Sequence, residues 1–82
     1  MKAHTRVYMD YFDYGIDDVI LCEVCGHKAV DIHHIDGRGK GKDVIENLMA
    51  LCRKCHNAAH GLEKTYLHKD ILFAIHTKKL KS

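Results

Sequence analysis

The sequence lacks the features that mark membrane and secreted proteins. No apolar run in it is long enough to cross a membrane, and its first residues do not form the apolar core of a signal peptide. Aromatic side chains make up only 7% of the residues. Without a membrane-spanning or exported segment, we expect no membrane partner and a reducing, cytoplasmic location, in which cysteines stay free.

The sequence also lacks internal repeats, low-complexity linkers and the length that a large core requires. With 82 residues and no internal boundary, we expect a single domain spanning residues 1–82. A chain of this size buries too little apolar surface to be comfortably stable by packing alone. It therefore needs a further stabilising element.

Cysteine supplies that element. The four cysteines form two Cys-x-x-Cys pairs with none left over: Cys22 and Cys25, then Cys52 and Cys55. Two such pairs far apart in a chain predict one structural Zn²⁺ ion held by four thiolates. The alternative is a pair of disulfides, which is typical of secreted proteins and is therefore disfavoured here.

Charge is informative only locally. The formal net charge is +2, and four thiolates with one Zn²⁺ ion would bring it close to zero. In the segment 36–42, however, Arg38, Lys40 and Lys42 alternate with three glycines. Such a segment is either a flexible, solvated hairpin loop or a loop whose bare backbone and cations approach phosphates.

Apolar spacing predicts helices at both ends of the chain. Apolar residues four apart predict a helix over 5–13, and Leu67, Ile71 and Ile75 predict another over 63–79. β-Branched residues predict a strand within 28–35, in which Val30 and Ile32 are buried. Between these elements we expect one helical turn at 43–46, a short strand at 48–51, and a helix from Cys52 almost to Gly61.

Six of the eight histidines fall into two groups. His56 and His60 are four residues apart, so a helix would place both imidazoles on one face, where they could hold a metal ion together. The other group is expected on the surface or in loops: His4, His27, His68 and His76. For His68 and His76 the reason is that no acidic or thiol partner lies nearby.

The order of the polar residues resembles that of the HNH endonucleases, and most closely the small stand-alone HNH proteins of phages and bacteria. Three segments carry the resemblance: Val30-Asp31-Ile32-His33-His34-Ile35, Asn47-Leu48 and Leu51-Cys52-Arg53-Lys54-Cys55-His56. It covers about residues 20–61, and residue order, gaps and types all agree. The resemblance implies an α+β protein with a ββα-metal core, stapled by the zinc site and flanked by N- and C-terminal helices.

The resemblance also implies a role for each polar residue of the motif. His34 corresponds to the general base, and Asn47 to the residue that orients this histidine and ties the loop together. His33, His56 and His60 correspond to ligands of one catalytic divalent metal. Three imidazoles favour Zn²⁺, Ni²⁺ or Co²⁺, whereas Mg²⁺ and Mn²⁺ remain alternatives because cells contain them. Since neighbouring strand residues point to opposite faces, a strand end or bulge is expected at His34.

These expectations predict a metal-dependent DNA endonuclease. A bound cation stabilises the charge that develops during phosphodiester cleavage, and imidazole can take a proton from water at neutral pH. Double-stranded DNA is the expected partner, contacted by Arg38, Lys40 and Lys42, in a bacterial cytoplasm if a phage encodes the protein. A homodimer or a larger phage complex stays open. The alternatives are an inactive, zinc-stapled DNA- or protein-binding module and an accessory subunit of a phage nuclease or packaging complex.

Overall fold

The computed structural model of the chain describes residues 2–82. Its elements, in chain order, are α1 (Ala3–Tyr11), β1 (Asp31–His34), a 3-10 turn (Ile45–Asn47), β2 (Leu48–Leu51), α2 (Arg53–Ala59) and α3 (Lys69–Lys81). This is the small α+β fold that was predicted, with two strands and a following helix between two flanking helices. No helix in the described part of the chain is long and apolar enough to cross a membrane.

The two strands form an antiparallel pair that is covered on both faces. All four side chains of β2 are buried. Leu48 and Ala50 pack towards Tyr8 of α1, whereas Met49 and Leu51 pack towards the cysteines and Leu72 of α3. Because strand residues alternate between faces, β1 presents neighbouring histidines to two different environments.

The expected strands are confirmed, but one buried position is wrong. Ile32 is 4% exposed, as predicted, whereas Val30 is 54% exposed. Val30 lies before β1 begins, although its backbone N–H donates to the carbonyl of Leu51 at 2.9 Å. The pairing thus continues beyond the strand, and the side chain of Val30 points to solvent.

The C-terminal helix begins six residues later than predicted and buries a different stripe. Residues 63–68 are not helical, and α3 starts at Lys69. Its buried side chains are Leu72 and His76, each 1% exposed, whereas Ile71 is 45% exposed. Leu72 and His76 are also four residues apart, so the spacing alone allowed two adjacent stripes. The predicted buried stripe contained Ile71 and Ile75, whereas the observed one contains Leu72 and His76.

His76 is buried because it joins a network of polar groups around Glu23. Nδ1 of His76 donates to Glu23 Oε1 at 2.8 Å, and Nε2 donates to the carbonyl of Ile45 at 2.6 Å. The other oxygen, Oε2, accepts from the hydroxyl of Tyr8 at 2.6 Å and from the backbone N–H of Ala50 at 3.3 Å. The prediction of a surface position for His76 is therefore wrong.

Both ring nitrogens of His76 face acceptors, an arrangement that the imidazolium form satisfies with two N–H donors. Burial alone would lower the pKa of His76, but the hydrogen bonds to Glu23 and Ile45 and the charge of Glu23 outweigh burial and raise it above 6.5. The network joins α1, the first Cys-x-x-Cys turn, the 3-10 turn and α3. It fixes both flanking helices on the core.

Candidate functional site

The four cysteines converge on one point. Their sulfur atoms all lie within 4.8 Å of one another, and none forms a disulfide. Sγ of Cys25 and Sγ of Cys52 are 3.5 Å apart, far beyond the roughly 2.05 Å of a disulfide bond. Four sulfur atoms around one point suit a tetrahedral Zn²⁺ ion, so the donor set fits the structural metal.

Two tight turns hold these sulfur atoms in place. In the first, the N–H of Cys22 donates to the carbonyl of His27 at 2.6 Å, and the N–H of Gly26 donates to the carbonyl of Cys22 at 3.0 Å. Gly26 has a φ of 82°, a conformation that glycine adopts without strain. In the second, Cys52 caps α2, and its sulfur accepts the N–H of Cys55 at 3.5 Å.

The electrostatics of the cluster call for a cation. Burial opposes charge on Cys52, but hydrogen bonds from the backbone of Cys55 and from the other three thiols lower its pKa to about 7. Burial, followed by the neighbouring cysteines, raises the pKa of Cys55. One sulfur can thus be ionised only at the expense of its neighbours, and a shared Zn²⁺ ion would remove that competition. His27, expected in a loop, is exposed there, with Nδ1 at 3.2 Å from Sγ of Cys25.

A second cluster consists of three histidines from β1 and from the C-terminal end of α2. His33, His56 and His60 each offer a nitrogen within 4.8 Å of the other two. Nε2 of His56 and Nε2 of His60 are 3.1 Å apart, and the ring of His33 lies 5.1 and 5.2 Å from theirs, centre to centre. The structure therefore brings together the three residues that were predicted to be ligands of one metal ion.

The three-histidine cluster favours neutral rings. Burial, followed by the charges of His56 and His60, lowers the pKa of His33 to about 4. Burial also lowers the pKa of His56, although Asp31 opposes this shift. Neutral imidazoles are the ligands of borderline divalent ions, so the site fits the divalent metal that the family uses.

Asp31 borders the three-histidine cluster and was missed by the sequence reasoning. Its Oδ2 lies 3.6 Å from Nε2 of His56. The signal was available, because Asp31 is two residues before His33 and so shares its face of the strand.

His34 lies on the opposite face of β1. Its Nε2 is 2.7 Å from Oδ1 of Asp43, and its ring lies 4.5 Å from that of His4, centre to centre. The strand ends at His34, as expected, but pairing stays regular through His34 and Leu48 without a bulge. His34 therefore points away from the face that carries His33.

His4 and Asp43 both differ from their predicted positions. His4, expected on the surface, is 5% exposed because α1 packs its ring against His34. Asp43, expected to open a helical turn, lies before the turn that begins at Ile45, and its carboxylate faces His34 instead. No local spacing announces either contact, since both depend on how the chain folds back over the strand.

Asn47 holds the segment 36–42 against the strands. Its side-chain oxygen accepts the N–H of Asp36 at 2.8 Å, and its amide donates to the carbonyls of Gly37 and Lys42 at 3.2 and 3.0 Å. The backbone carbonyl of Asn47 accepts the N–H of Ile35 at 2.9 Å. All of these contacts fix the segment that directly follows His34, so this segment is anchored at both ends.

The three cations of this segment are not equivalent. Nζ of Lys42 donates to Asp36 at 3.1 Å, and Asp36 also accepts from Lys69 at 2.7 Å. Arg38 and Lys40 are exposed. Burial and His34 lower the pKa of His4, and the charge of Arg38 adds to this shift. Burial lowers the pKa of His56 against the opposing effect of Asp31, and Arg38 contributes least, after His60 and Arg53. Arg38 therefore lies within electrostatic reach of both His4 and His56.

Two antiparallel strands followed by a helix, with converging histidines beside a four-cysteine cluster, define a ββα-metal domain of the nuclease type. Residues 22–61, just under half of the chain, match the family model described as HNH endonuclease, which is the family predicted from the sequence. HNH proteins are generally nucleases that act on DNA. The comparisons with curated proteins and with solved structures gave no match. Helices α1 and α3 lie outside the matched segment.

Proposed function

We propose that the chain is a metal-dependent endonuclease that hydrolyses phosphodiester bonds in double-stranded DNA. One observation carries the proposal: three imidazoles from β1 and α2 converge within 4.8 Å on the face opposite a fourth that is hydrogen-bonded to a carboxylate. His33, His56 and His60 would hold one divalent ion (Mg²⁺, Mn²⁺, Ni²⁺ or Zn²⁺). When bound, this ion would stabilise the charge on the phosphate and on the departing oxygen.

His34 acts as the general base in this proposal. If Nε2 donates its hydrogen to Asp43, Nδ1 carries the lone pair and can accept a proton from water. Asp43 thus fixes both the ring orientation and the tautomer, as a carboxylate does for histidine in many hydrolases. Asn47 positions the segment after His34 through its three side-chain hydrogen bonds. The bond from Tyr8 to Glu23 and that from His76 to Glu23 support residues 1–82 acting as one domain.

Arg38 and Lys40 are the preferred DNA contacts. Both are exposed and neither forms a salt bridge within residues 2–82, whereas Lys42 is already paired with Asp36 at 3.1 Å. Releasing Lys42 to a phosphate would cost that pair, so we assign it the smallest share of binding. Phosphate contacts of this kind position the duplex without reading its sequence.

A second candidate function is a DNA-binding module without cleavage activity. The observation that favours it is the burial of His34, whose side chain is only 5% exposed. A base must reach water, and here His4 and Asp43 cover the ring. Under this alternative the zinc-stapled fold and the cations of the segment 36–42 bind DNA, and the histidines are structural.

Nicking of supercoiled plasmid, measured together with metal content, separates the two candidates. His34→Ala should keep the ion of the three-histidine cluster when one equivalent of metal is supplied, and should lose roughly 10²–10⁴-fold in rate as expected for a deleted base. His33→Ala and His56→Ala should instead lose this ion. His68→Ala is the matched control, because His68 is exposed and its ring lies against that of Tyr66, 4.2 Å away centre to centre, and in neither histidine cluster.

Other outcomes would revise or overturn the proposal. If His34→Ala lowers metal content while His33→Ala spares it, the two neighbours have exchanged roles. If the wild-type protein binds DNA but nicks no faster than the His34→Ala variant with any of the four ions, the binding module is the correct assignment.

A further inference from the structure

A second histidine cluster lies on the other face of β1. His4, His34 and Asp43 each offer one ligand atom, and these atoms lie within 4.8 Å of one another. The cluster shares no residue with the group of His33, His56 and His60. His4 comes from α1, outside the segment 22–61 that matches the HNH family.

One atom of this cluster has no hydrogen-bond partner. Nε2 of His4 is fully buried, and within residues 2–82 it is the only buried side-chain nitrogen or oxygen atom left unpaired. Buried polar groups in native proteins almost always have a partner. An unpaired nitrogen beside another histidine and a carboxylate therefore points to a missing ligand.

We infer that His4, His34 and Asp43 form a second divalent-metal site, distinct from the three-histidine cluster. Two imidazoles and one carboxylate are a donor set for Fe²⁺, Mn²⁺, Co²⁺ or Zn²⁺. A cation there would take up the lone pair of His4 and replace the direct 2.7 Å contact between His34 and Asp43. The side chain of Asp43 is 49% exposed, so an ion has a route from solvent.

The second site is the weaker of the two. An ion entering it must break the hydrogen bond between His34 and Asp43, which is 2.7 Å long. In the three-histidine cluster the carboxylate contact is weaker, because Asp31 lies 3.6 Å from His56. The second site therefore fills only when metal is in excess over the first.

Occupation of this site would inhibit cleavage, a consequence that rests on the proposed function. Metal bound through Nε2 of His34 requires the ring hydrogen to sit on Nδ1. His34 then has no free lone pair and cannot take a proton from water. The same ion that activates the three-histidine cluster at low concentration would thus block the base at high concentration.

The direct test is Co²⁺ binding to the full, zinc-loaded chain, with cobalt and zinc counted together after equilibrium dialysis. The wild-type protein should bind two Co²⁺ ions while retaining its zinc. His4→Phe keeps an aromatic ring but removes both nitrogens. It should weaken binding of the second ion by at least about tenfold, since losing even an outer-shell partner of a ligand costs that much. His68→Phe, an exposed histidine, is the matched control and should leave both ions unchanged.

A second background isolates the site. In the variant His33→Ala/His56→Ala/His60→Ala one Co²⁺ ion should remain, and adding Asp43→Asn should remove it. Asp43 is exposed, so this substitution also serves if His4→Phe fails to fold in a thermal melt. Unchanged affinity for the second ion in both His4→Phe and Asp43→Asn would overturn the inference, as would a wild-type protein that binds only one Co²⁺ ion.

Activity separates this inference from the proposed function. Nicking by the wild-type protein should rise and then fall as Co²⁺ is increased, whereas that of His4→Phe should rise to a plateau. If neither the wild-type protein nor any variant nicks DNA but His4→Phe loses the second ion, the proposed function fails and the second metal site stands. If the protein nicks DNA and both variants keep the second ion, the site fails and the proposed function stands.

Discussion

The histidines of this small protein differ in how completely their ring nitrogens are paired. His76 has an acceptor on each ring nitrogen, a carboxylate at 2.8 Å and a carbonyl at 2.6 Å. His56 and His60 instead face each other with their Nε2 atoms 3.1 Å apart, and Nε2 of His4 has no partner among the described residues. Complete pairing is what a structural role requires, whereas a ring nitrogen that faces only another imidazole, or no partner at all, suits a metal ligand.

The two clusters that were predicted to bind metal also differ, in where they lie in the fold. The cysteine cluster lies between the two Cys-x-x-Cys turns, and three of its four members belong to the apolar core. The three-histidine cluster lies at the edge of the fold, where His60 is exposed and His33 and His56 are half-buried. A metal ion in the cysteine cluster would stabilise the fold, whereas a metal ion in the three-histidine cluster would face a substrate.

The largest expected effect concerns the cysteine cluster. Cys52→Ser should unfold most of the chain, because a structural zinc contributes roughly 10 kcal/mol or more to folding in comparable small domains. The whole stability of an 82-residue protein is only about 4–12 kcal/mol. His56→Ala, the matched loss of a ligand in the other cluster, should leave a cooperative thermal transition, and a sharp transition in Cys52→Ser would remove the contrast.

The next largest effect concerns the network around Glu23. Both Glu23 and His76 have side chains that are 1% exposed, and breaking a buried ion pair from one side costs about 3–5 kcal/mol. Glu23→Gln should therefore lower the free energy of unfolding by roughly that amount in a denaturant titration. It should leave metal binding by the three-histidine cluster intact. A loss below about 1 kcal/mol would mean that the network is no stronger than an exposed salt bridge.

A smaller effect is the pH dependence of this network. The pKa of His76 is raised above 6.5 in the folded protein, so its contribution to stability is complete below that pH. The contribution is lost as pH rises through the folded pKa. The difference in unfolding free energy between the wild type and Glu23→Gln should therefore shrink with rising pH. Comparing the two proteins removes the pH dependence of zinc binding, which has the opposite sign.

The smallest effect concerns the segment 36–42. If Arg38 and Lys40 contact phosphates, replacing either by alanine should weaken binding on every DNA sequence alike. Each replacement should reduce the slope of log K against log salt by roughly 0.9. Lys42→Ala should change the slope less, because Lys42 is paired with Asp36 at 3.1 Å. Equal slopes in all four proteins would leave the segment as a solvated loop.

The sequence predicted what depends on short spacing and missed what depends on distant partners. The strand pair, the helix after Cys52 and the convergence of the cysteines follow from patterns a few residues long. His76 and Glu23 are 53 positions apart, and nothing near either residue announces that they meet. The burial of His4 was missed for the same reason. The roles assigned to His33, His34, Asn47, His56 and His60 stay predictions until the variants are measured.

The complete burial of β2 has a consequence for how reliably the chain becomes functional. Strand registry is usually set by alternation of apolar and polar residues, but β2 is apolar on both faces and gives no such instruction. A slip of one residue would exchange His33 and His34 between the two sides of the ribbon without exposing any apolar side chain of β2. Two features oppose the slip: Glu23 bonds both backbone groups of Ala50, at 3.0 and 3.3 Å, and Ile32 of β1, which is 4% exposed, would leave its buried face. The side of the ribbon on which each histidine lies thus depends on contacts outside β2 itself.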